Sequence, residues 1–239
     1  NQTYIAYLLD SAGSDGASAG LGLQLATTTN GPTLNSGSNW TTQSIVNPAE
    51  QAGPGPAQGP LALSGNDNGL ELSYGLSNQP AELQINLIAS KAATSSPLAP
   101  LAGSSPAVAA GTTALASNGT NFYMAFQAGE ALYWTSSSDS GASWNGWQVV
   151  VGATPGAQGQ PSLAFLNGSL YLGFLDAGNA INITSLSNAS TNTWSTSTKV
   201  PNQTASSASL ISETIGNTAQ LAVYYVSNAN ATPSQILKT

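Results

Sequence analysis

The sequence predicts an all-β chain built from a unit of about 50 residues that repeats, and three observations support this. Five strand-like segments alternate small and apolar residues around a central aromatic residue. Asn-Gly pairs and stretches rich in Gly, Ser and Pro separate these segments, as turns do. The central aromatic residues recur at steps of 67, 52, 48 and 51 residues, at Tyr7, Tyr74, Phe126, Phe174 and Tyr225. A period near 50 made of short strands is typical of the blades of a β-propeller.

The repeats can be followed along the chain in order. In the first repeat we expect strands over 4–9, 20–28 and 40–46. The second begins near Pro60, turns at 66–69 and continues over 82–88. The third and fourth match strand for strand, with Asn-Gly turns at 118–119 and 167–168 and last strands over 147–151 and 193–200. The fifth contains strands over 209–211, 221–226 and 234–237.

This pattern predicts one propeller domain over 1–239 with five four-stranded blades. Their approximate bounds are 1–55, 56–105, 106–156, 157–205 and 206–239. The stretches 51–59 and 94–111 are expected to be long loops between blades, with a flexible linker as the alternative. A first strand is missing at one end and a fourth at the other, so the terminal blades are expected to be incomplete. Either the chain is trimmed or a neighbouring subunit supplies a strand.

One stretch adds a specific motif to this pattern. Residues 137–144 read S-x-D-x-G-x-S-W, with Ser137, Asp139, Gly141 and Trp144 at the fixed positions. We expect Asp139 to accept backbone hydrogen bonds inside a turn, Gly141 to supply a positive φ and Trp144 to pack into the blade. The motif resembles the Asp-box of sialidase-like β-propellers. In that family the box is structural and lies on the face opposite the active site, so this resemblance implies turn chemistry for Asp139.

Two looser copies occur in phase with the repeat. Residues 33–40 keep a Gly and end on Trp40, with Asn35 in place of the Asp. Residues 187–194 keep only the frame and end on Trp194. Three matches in phase with a second periodicity favour a propeller more strongly than one motif does.

Composition excludes several classes of function. Lys and Arg together number three, Asp and Glu number ten, and the net charge is −7. Three scattered lysines cannot neutralise a nucleic-acid backbone, so we expect no nucleic-acid partner. No apolar run is long enough to predict a membrane span. Because sialidases bind the substrate carboxylate with three arginines and this chain has none, the resemblance does not extend to sialidase chemistry.

A different glycosidase would need only two or three carboxylates, one of them with a raised pKa. Asp10 and Asp176 follow equivalent strands, and Glu130 follows the corresponding strand of the repeat between them. These three are the catalytic candidates. The alternative is that each is a hairpin residue, and we expect no enzymatic activity, since no histidine or arginine is available to orient a substrate.

Carbohydrate binding fits this inventory better, because sugar sites need an aromatic platform with amide and hydroxyl groups. The candidate contacts are Trp134, Trp147, Gln127 and Tyr225.

No cofactor or metal site is expected, although Asp and Asn oxygens could hold calcium without an EF-hand spacing. Eight N-x-S/T sequons are candidate glycosylation sites: Asn1, Asn39, Asn118, Asn167, Asn182, Asn188, Asn202 and Asn230.

These observations together predict a non-catalytic protein of the cell surface or extracellular space. The first hypothesis is an assembly or adhesion subunit, completed by strand exchange as a homo-oligomer or filament. The alternative is a lectin-like glycan binder that uses pockets between blades, and a glycoside hydrolase using Asp10 and Asp176 is third.

Overall fold

A computed structural model of the chain describes residues 3–10, 21–28, 41–46, 58–66, 69–75, 80–85, 94–97, 108–156, 161–227 and 236–238. The regular structure in these ranges is β-strand throughout, which confirms the all-β prediction. Within the same ranges, no helix has the length and apolar character needed to cross a membrane.

Eighteen strands are described, and each pairs with its neighbours in antiparallel fashion. They are β1 (Thr3–Asp10), β2 (Leu21–Thr28), β3 (Thr41–Val46), β4 (Gln58–Asn66), β5 (Gly69–Gly75), β6 (Pro80–Ile85), β7 (Thr94–Pro97), β8 (Val108–Ser117), β9 (Phe122–Ala128), β10 (Ala131–Ser137), β11 (Gln148–Val149), β12 (Ser162–Leu166), β13 (Ser169–Leu175), β14 (Ala180–Asn188), β15 (Thr193–Trp194), β16 (Thr198–Ile215), β17 (Thr218–Ser227) and β18 (Ile236–Lys238).

The strands form sheets in the order of the sequence. One sheet contains β1-β2-β3, a second β4-β5-β6-β7 and a third β8-β9-β10-β11. The seven remaining strands form one sheet in the order β12-β13-β14-β16-β17-β18, with β15 beside β14. Strand β16 joins its two halves, because it pairs with β14 as far as Thr204 and with β17 from Ala205 onward.

Two expectations about the connections need correction. Residues 94–111 were expected to form a loop, but β7 pairs with β6 inside this stretch, and β8 begins at Val108. A single partner is enough for an outer strand, and Pro97, the last residue of β7, lies on such an edge strand, where proline is tolerated. The stretch 147–151 was expected to be a full strand, but only the two residues of β11 pair with β10.

Four strands, each from a successive repeat of the sequence, come together around one cavity. Residues of β4, β8, β12 and β16 line a shared cavity of about 360 Å³. Ala62, Ala114, Ser162 and Leu210 occupy it at steps of 52, 48 and 48 residues. Small side chains at three of these positions allow the strands to approach closely. Ser162 Oγ accepts the Leu210 N–H at 2.8 Å, which ties two of these strands together.

One core lies between neighbouring sheets, and another lies between the two halves of the seven-stranded sheet. Between the β8–β11 sheet and β12–β15, the buried set includes Leu132, Trp134, Leu172, Phe174 and Trp194. Another core packs β12–β14 against β16 and β17. Face-to-face packing of sheets around a common cavity is the architecture of a propeller.

Candidate functional site

The box turn connects β10 to β11 and is held by its own side chains. Asp139 Oδ1 accepts the Ser143 N–H at 2.9 Å and the Ser137 hydroxyl at 2.7 Å, while Oδ2 accepts the Ser143 hydroxyl. The Ser143 bonds, with that of Ser137, lower the pKa of Asp139 to about 2. Gly141 has a φ of +83°, and Trp144 packs against buried Leu115 and Met124. All of these contacts stabilise the turn.

The looser copy between β14 and β15 uses a different residue for the same purpose. Asn188 Oδ1 accepts the N–H groups of Ser190 and Thr191, at 2.9 and 3.2 Å. The positive φ falls at Asn192, at +50°, because no Gly is available in this turn. The chain then enters the core at Trp194, which is 8% exposed.

Asn192 also links two neighbouring sheets. Its Oδ1 accepts the indole N–H of Trp134 at 2.7 Å and that of Trp194 at 3.1 Å. Its Nδ2 donates to the Val149 carbonyl at 2.9 Å. The two indole rings meet edge to face, with centroids 5.7 Å apart. The sequence reasoning missed this residue because the box motif leaves its position unspecified.

Beside the two box turns, the hydrogen bonds repeat atom for atom. Thr135 Oγ1 donates to the Asn145 carbonyl at 2.6 Å, and Thr184 Oγ1 donates to the Ser195 carbonyl at the same distance. The carbonyl of Ser136 accepts the Asn145 N–H just as that of Ser185 accepts the Ser195 N–H. The equivalent pairs lie 49 and 50 residues apart, so the sequence period is also a period of the structure.

Each of these repeated bonds borders a pocket. The larger pocket, of about 470 Å³, lies between β13–β14 and β17 and is lined by apolar and hydroxyl-bearing residues. Ile183, Val200, Leu221 and Val223 supply apolar surface. Polar groups come from Tyr171, Thr184, Ser185, Ser195, Thr198 and Lys199. We refer to this as the inter-sheet pocket, because it lies between the two halves of the seven-stranded sheet that β16 joins. A smaller one of about 180 Å³ borders the equivalent residues Thr135, Ser136 and Asn145.

Lys199 contributes the one ion pair found among the described residues. Its Nζ lies 2.7 Å from Asp176 Oδ2, with the lysine side chain 65% exposed and the aspartate side chain 16% exposed. Burial alone would raise the pKa of Asp176. Bonds from Lys199 and from the N–H groups of Ala180 and Gly178 outweigh it and lower that pKa to about 2.

The catalytic candidates do not form a carboxylate pair in the part of the chain that the structure describes. Asp176 is a turn residue bound to Lys199. Glu130 is exposed in the β9–β10 turn. Asp10 ends β1, but its side chain lies outside the described residues. Within the described residues, no three acidic side chains gather where a metal ion could bind.

Three of the four predicted sugar contacts lie in the interior and are corrected on that ground. Trp134, Gln127 and Tyr225 are 3%, 2% and 5% exposed. Trp134 donates to Asn192, Gln127 Nε2 donates to the Gly156 carbonyl at 2.6 Å, and the Tyr225 hydroxyl donates to Gln203. Apolar burial and satisfied polar atoms leave no free surface for a sugar on these residues. Trp147 is partly buried and meets Phe126 edge-on at 4.5 Å.

The sequons also separate by accessibility. Asn118, Asn167 and Asn188 are exposed in turns, whereas Asn182 is 5% exposed and donates to the Ala180 carbonyl at 3.0 Å. Burial therefore sets Asn182 apart from the three exposed sequons. The side chain of Asn202, like Asn1, Asn39 and Asn230, lies outside the described residues.

No protein-family model matches the chain, and no curated protein matches its sequence. Among solved structures, the chain matches NanB with a TM-score of 0.66 and 9% identity, over 99% of this chain and 56% of NanB. NanB is described as a sialidase from Streptococcus pneumoniae. The chain thus spans little more than half of that structure.

Two further matches extend the comparison. The Trypanosoma rangeli sialidase in complex with sialic acid matches with a TM-score of 0.52 and 13% identity, over 88% of this chain and 39% of that one. The SapL1 lectin in complex with alpha methyl fucoside matches with a TM-score of 0.60 and 13% identity, over 93% and 74%. The chain has the fold of the sialidase-like β-propellers, as its box motif indicates.

The pocket residues were not predicted from the sequence. Tyr171, Ser185, Ser195 and Lys199 carry no motif of their own. A Thr-Ser pair recurs at 135–136 and 184–185. Thr135 precedes Trp144 by nine residues, and Thr184 precedes Trp194 by ten. This recurrence is the sequence signal that could have indicated the site.

Proposed function

We propose that the protein is a non-catalytic carbohydrate-binding propeller that acts at the cell surface or outside the cell. The observation that carries the proposal is the inter-sheet pocket, which combines an apolar floor with several hydroxyl groups and one ammonium group. A sugar ring has the same mixed character, with C–H groups on its faces and hydroxyls at its edge. Sites of this composition suit such ligands.

The pocket residues can be assigned roles on chemical grounds. Tyr171 offers a partly buried aromatic ring against which the C–H face of a sugar can pack. Thr198 and Lys199 lie at its exposed rim and can donate hydrogen bonds to hydroxyl oxygens. Asp176 keeps the Lys199 ammonium in place, since the ion pair restricts that side chain.

The state of Asp176 supports a binding role over hydrolysis. A glycosidase needs one carboxylic acid with a raised pKa as proton donor. The pKa of Asp176 is instead lowered to about 2, and its oxygens already accept several bonds. The absence of arginine from the sequence argues against the substrate clamp that sialidases use.

The number of blades is part of this proposal. We infer five blades, because β16 changes partner between Thr204 and Ala205, and this divides the seven-stranded sheet into a fourth and a fifth blade. The first three sheets supply the other three blades.

The SapL1 lectin, whose structure contains alpha methyl fucoside, shows that a chain of similar fold can hold a sugar.

A second function, assembly with further copies of the chain, is favoured by a different observation. Ile211 and Ile215 are 38% and 54% exposed on β16, on the face turned away from the core with β12–β14. We take a second copy of the chain as the occupant, since apolar side chains exposed together on one strand can be buried against the same strand of another copy. Mass photometry of the protein and of Ile215→Ser tests this. Oligomers lost in the variant support assembly, and a monomer at all concentrations contradicts it.

Binding to a glycan array tests the carbohydrate proposal. Thr198 is exposed at the pocket rim, so Thr198→Trp fills the pocket from outside with little effect on the core. Thr198→Ser is the matched control, and Glu130→Gln changes an exposed acid elsewhere. We expect Thr198→Trp to weaken binding at least tenfold and both controls to bind as the parent does. Equal binding by all variants, or no binding at all, contradicts the proposal.

A further inference from the structure

The accessible sequons of the described residues lie at one end of the sheets. Asn118 lies in the β8–β9 turn and Asn167 in the β12–β13 turn, while Asn188 is the last residue of β14, where the β14–β15 turn begins. In an antiparallel sheet, the turn after the first strand and the turn after the third strand fall at the same end. The turn after the first strand therefore lies on the same face as the box turn, which follows the third strand.

Contacts between sheets show that this face is common to neighbours. Asn145 and Gly146, which follow the box turn of one sheet, line the same small pocket as Ala189 and Ser190 of the next. At the other end, Gly156 donates its N–H to the Leu175 carbonyl and accepts from Gln127, which brings the second turns of both sheets together. We call the end with the first and third turns the box face.

At the exposed sites the turn backbone binds the side-chain oxygen of the asparagine, and the Asn118 nitrogen makes only a long bond, to the Tyr123 hydroxyl at 3.5 Å. In Asn118 and Asn188, the side-chain oxygen accepts the backbone N–H of the sequon's own third residue, Thr120 at 3.0 Å and Ser190 at 2.9 Å. Asn167 has a φ of +50° at the tip of a two-residue turn. All three side chains are exposed.

Asn182 provides an internal contrast. It carries the same sequon, but its side chain is 5% exposed in β14, and Nδ2 donates to the Ala180 carbonyl at 3.0 Å. A saccharide on that nitrogen would have to occupy space filled by the strand's neighbours. The folded protein could hold it only by opening the sheet.

We propose that the protein is an N-glycoprotein whose glycans at Asn118, Asn167 and Asn188 coat the box face, while Asn182 stays unmodified. In the transfer, Nδ2 forms a bond to the anomeric carbon of a saccharide carried on a lipid pyrophosphate. The amide loses one proton, and the lipid pyrophosphate leaves with the bonding electron pair. The opposite face then keeps Asp176 and the second turns free of these three glycans. This proposal does not depend on sugar binding in the inter-sheet pocket.

The test uses the full chain secreted from a host that carries out N-glycosylation. The folded protein is isolated by size exclusion, and peptide N-glycosidase in ¹⁸O-water converts each glycosylated Asn to labelled Asp. Chymotryptic peptides are then mapped by mass spectrometry, because the chain offers few sites for trypsin. We expect label at Asn118, Asn167 and Asn188 and none at Asn182. Label at Asn182 in the folded protein overturns the proposal. Absence of label at Asn118, Asn167 and Asn188 also overturns it.

Two variants separate the sites. Thr120→Ala and Ser190→Ala retain both asparagines and remove only the hydroxyl that the transferase requires. Each should abolish the label at its own asparagine and leave the others unchanged. Loss of label at all sites in a variant that still elutes as folded protein contradicts independent modification of exposed turns.

Discussion

Replacement of Asn192 by alanine should destabilise the protein, because this turn residue links two neighbouring sheets. The variant loses an acceptor shared by the indole N–H groups of Trp134 and Trp194, and a donor to the Val149 carbonyl. Three hydrogen bonds at roughly 0.5–1.5 kcal/mol each give a loss of about 2–4 kcal/mol. Alanine at a φ of +50° adds about 1 kcal/mol of backbone strain.

The free energy of unfolding in urea, followed by tryptophan emission, measures this effect. Two of the five tryptophans lie at the affected contact, so the signal is sensitive to it. Asn192→Gly is the matched control: it removes the same bonds but tolerates the positive φ. We expect the glycine variant to lose about 2–4 kcal/mol and the alanine variant about 1 kcal/mol more. Unfolding free energies of both variants within about 0.5 kcal/mol of the parent would refute the reasoning.

The other predictions concern charge and turn chemistry. Asp139→Ala should lower the free energy of unfolding by about 1–2 kcal/mol, because the bonds from Ser143 are lost. Asp139→Asn should retain part of the stabilisation that these bonds give. Thermal unfolding of both variants measures the difference. The pKa of Asp176 is lowered in the folded protein, so its contribution is complete above the unfolded value near 3.8 and is lost as the pH falls towards 2. That contribution is about 1–2 kcal/mol after solvent screening of Lys199 is allowed for. Urea titrations between pH 5 and pH 2 should show this loss in the parent and a flatter profile in Asp176→Asn; an equal slope in both contradicts the assignment. Gly156→Ala should reduce stability sharply, because its Cβ would lie 2.5 Å from the Asp176 carbonyl oxygen; parent-like thermal unfolding would count against that contact.

The repeat could be predicted from the sequence because each blade carries its own local pattern. Alternating side chains, Asn-Gly turns and the box at Ser137–Trp144 need no knowledge of distant residues. Asn167 and Gly168 both take a positive φ, as the turn chemistry of that pair requires. Strand β7 escaped prediction because Thr94–Pro97 has little apolar alternation, and its pairing with β6 determines its conformation.

The candidate site could not be predicted in the same way. Trp134 and Tyr225 are aromatic residues in strands, and nothing local distinguishes a ring packed between sheets from one at a surface. Their burial depends on which sheet lies opposite. Likewise, the local sequence around Asp176 is compatible with a hairpin residue and with a catalytic acid. Its ion pair with Lys199, 23 positions away, helps to lower its pKa and could not be predicted locally.

The location of a bound glycan tests the central claim most directly. A crystal structure of the protein with the tightest array ligand, collected for the parent and for Thr198→Trp, would provide it. The account predicts density for the sugar against Tyr171, with contacts to Thr198 and Lys199, in the parent and none there in the variant. A sugar found in the central cavity lined by Ala62, Ala114 and Ser162 instead, or bound equally in the variant, would contradict it.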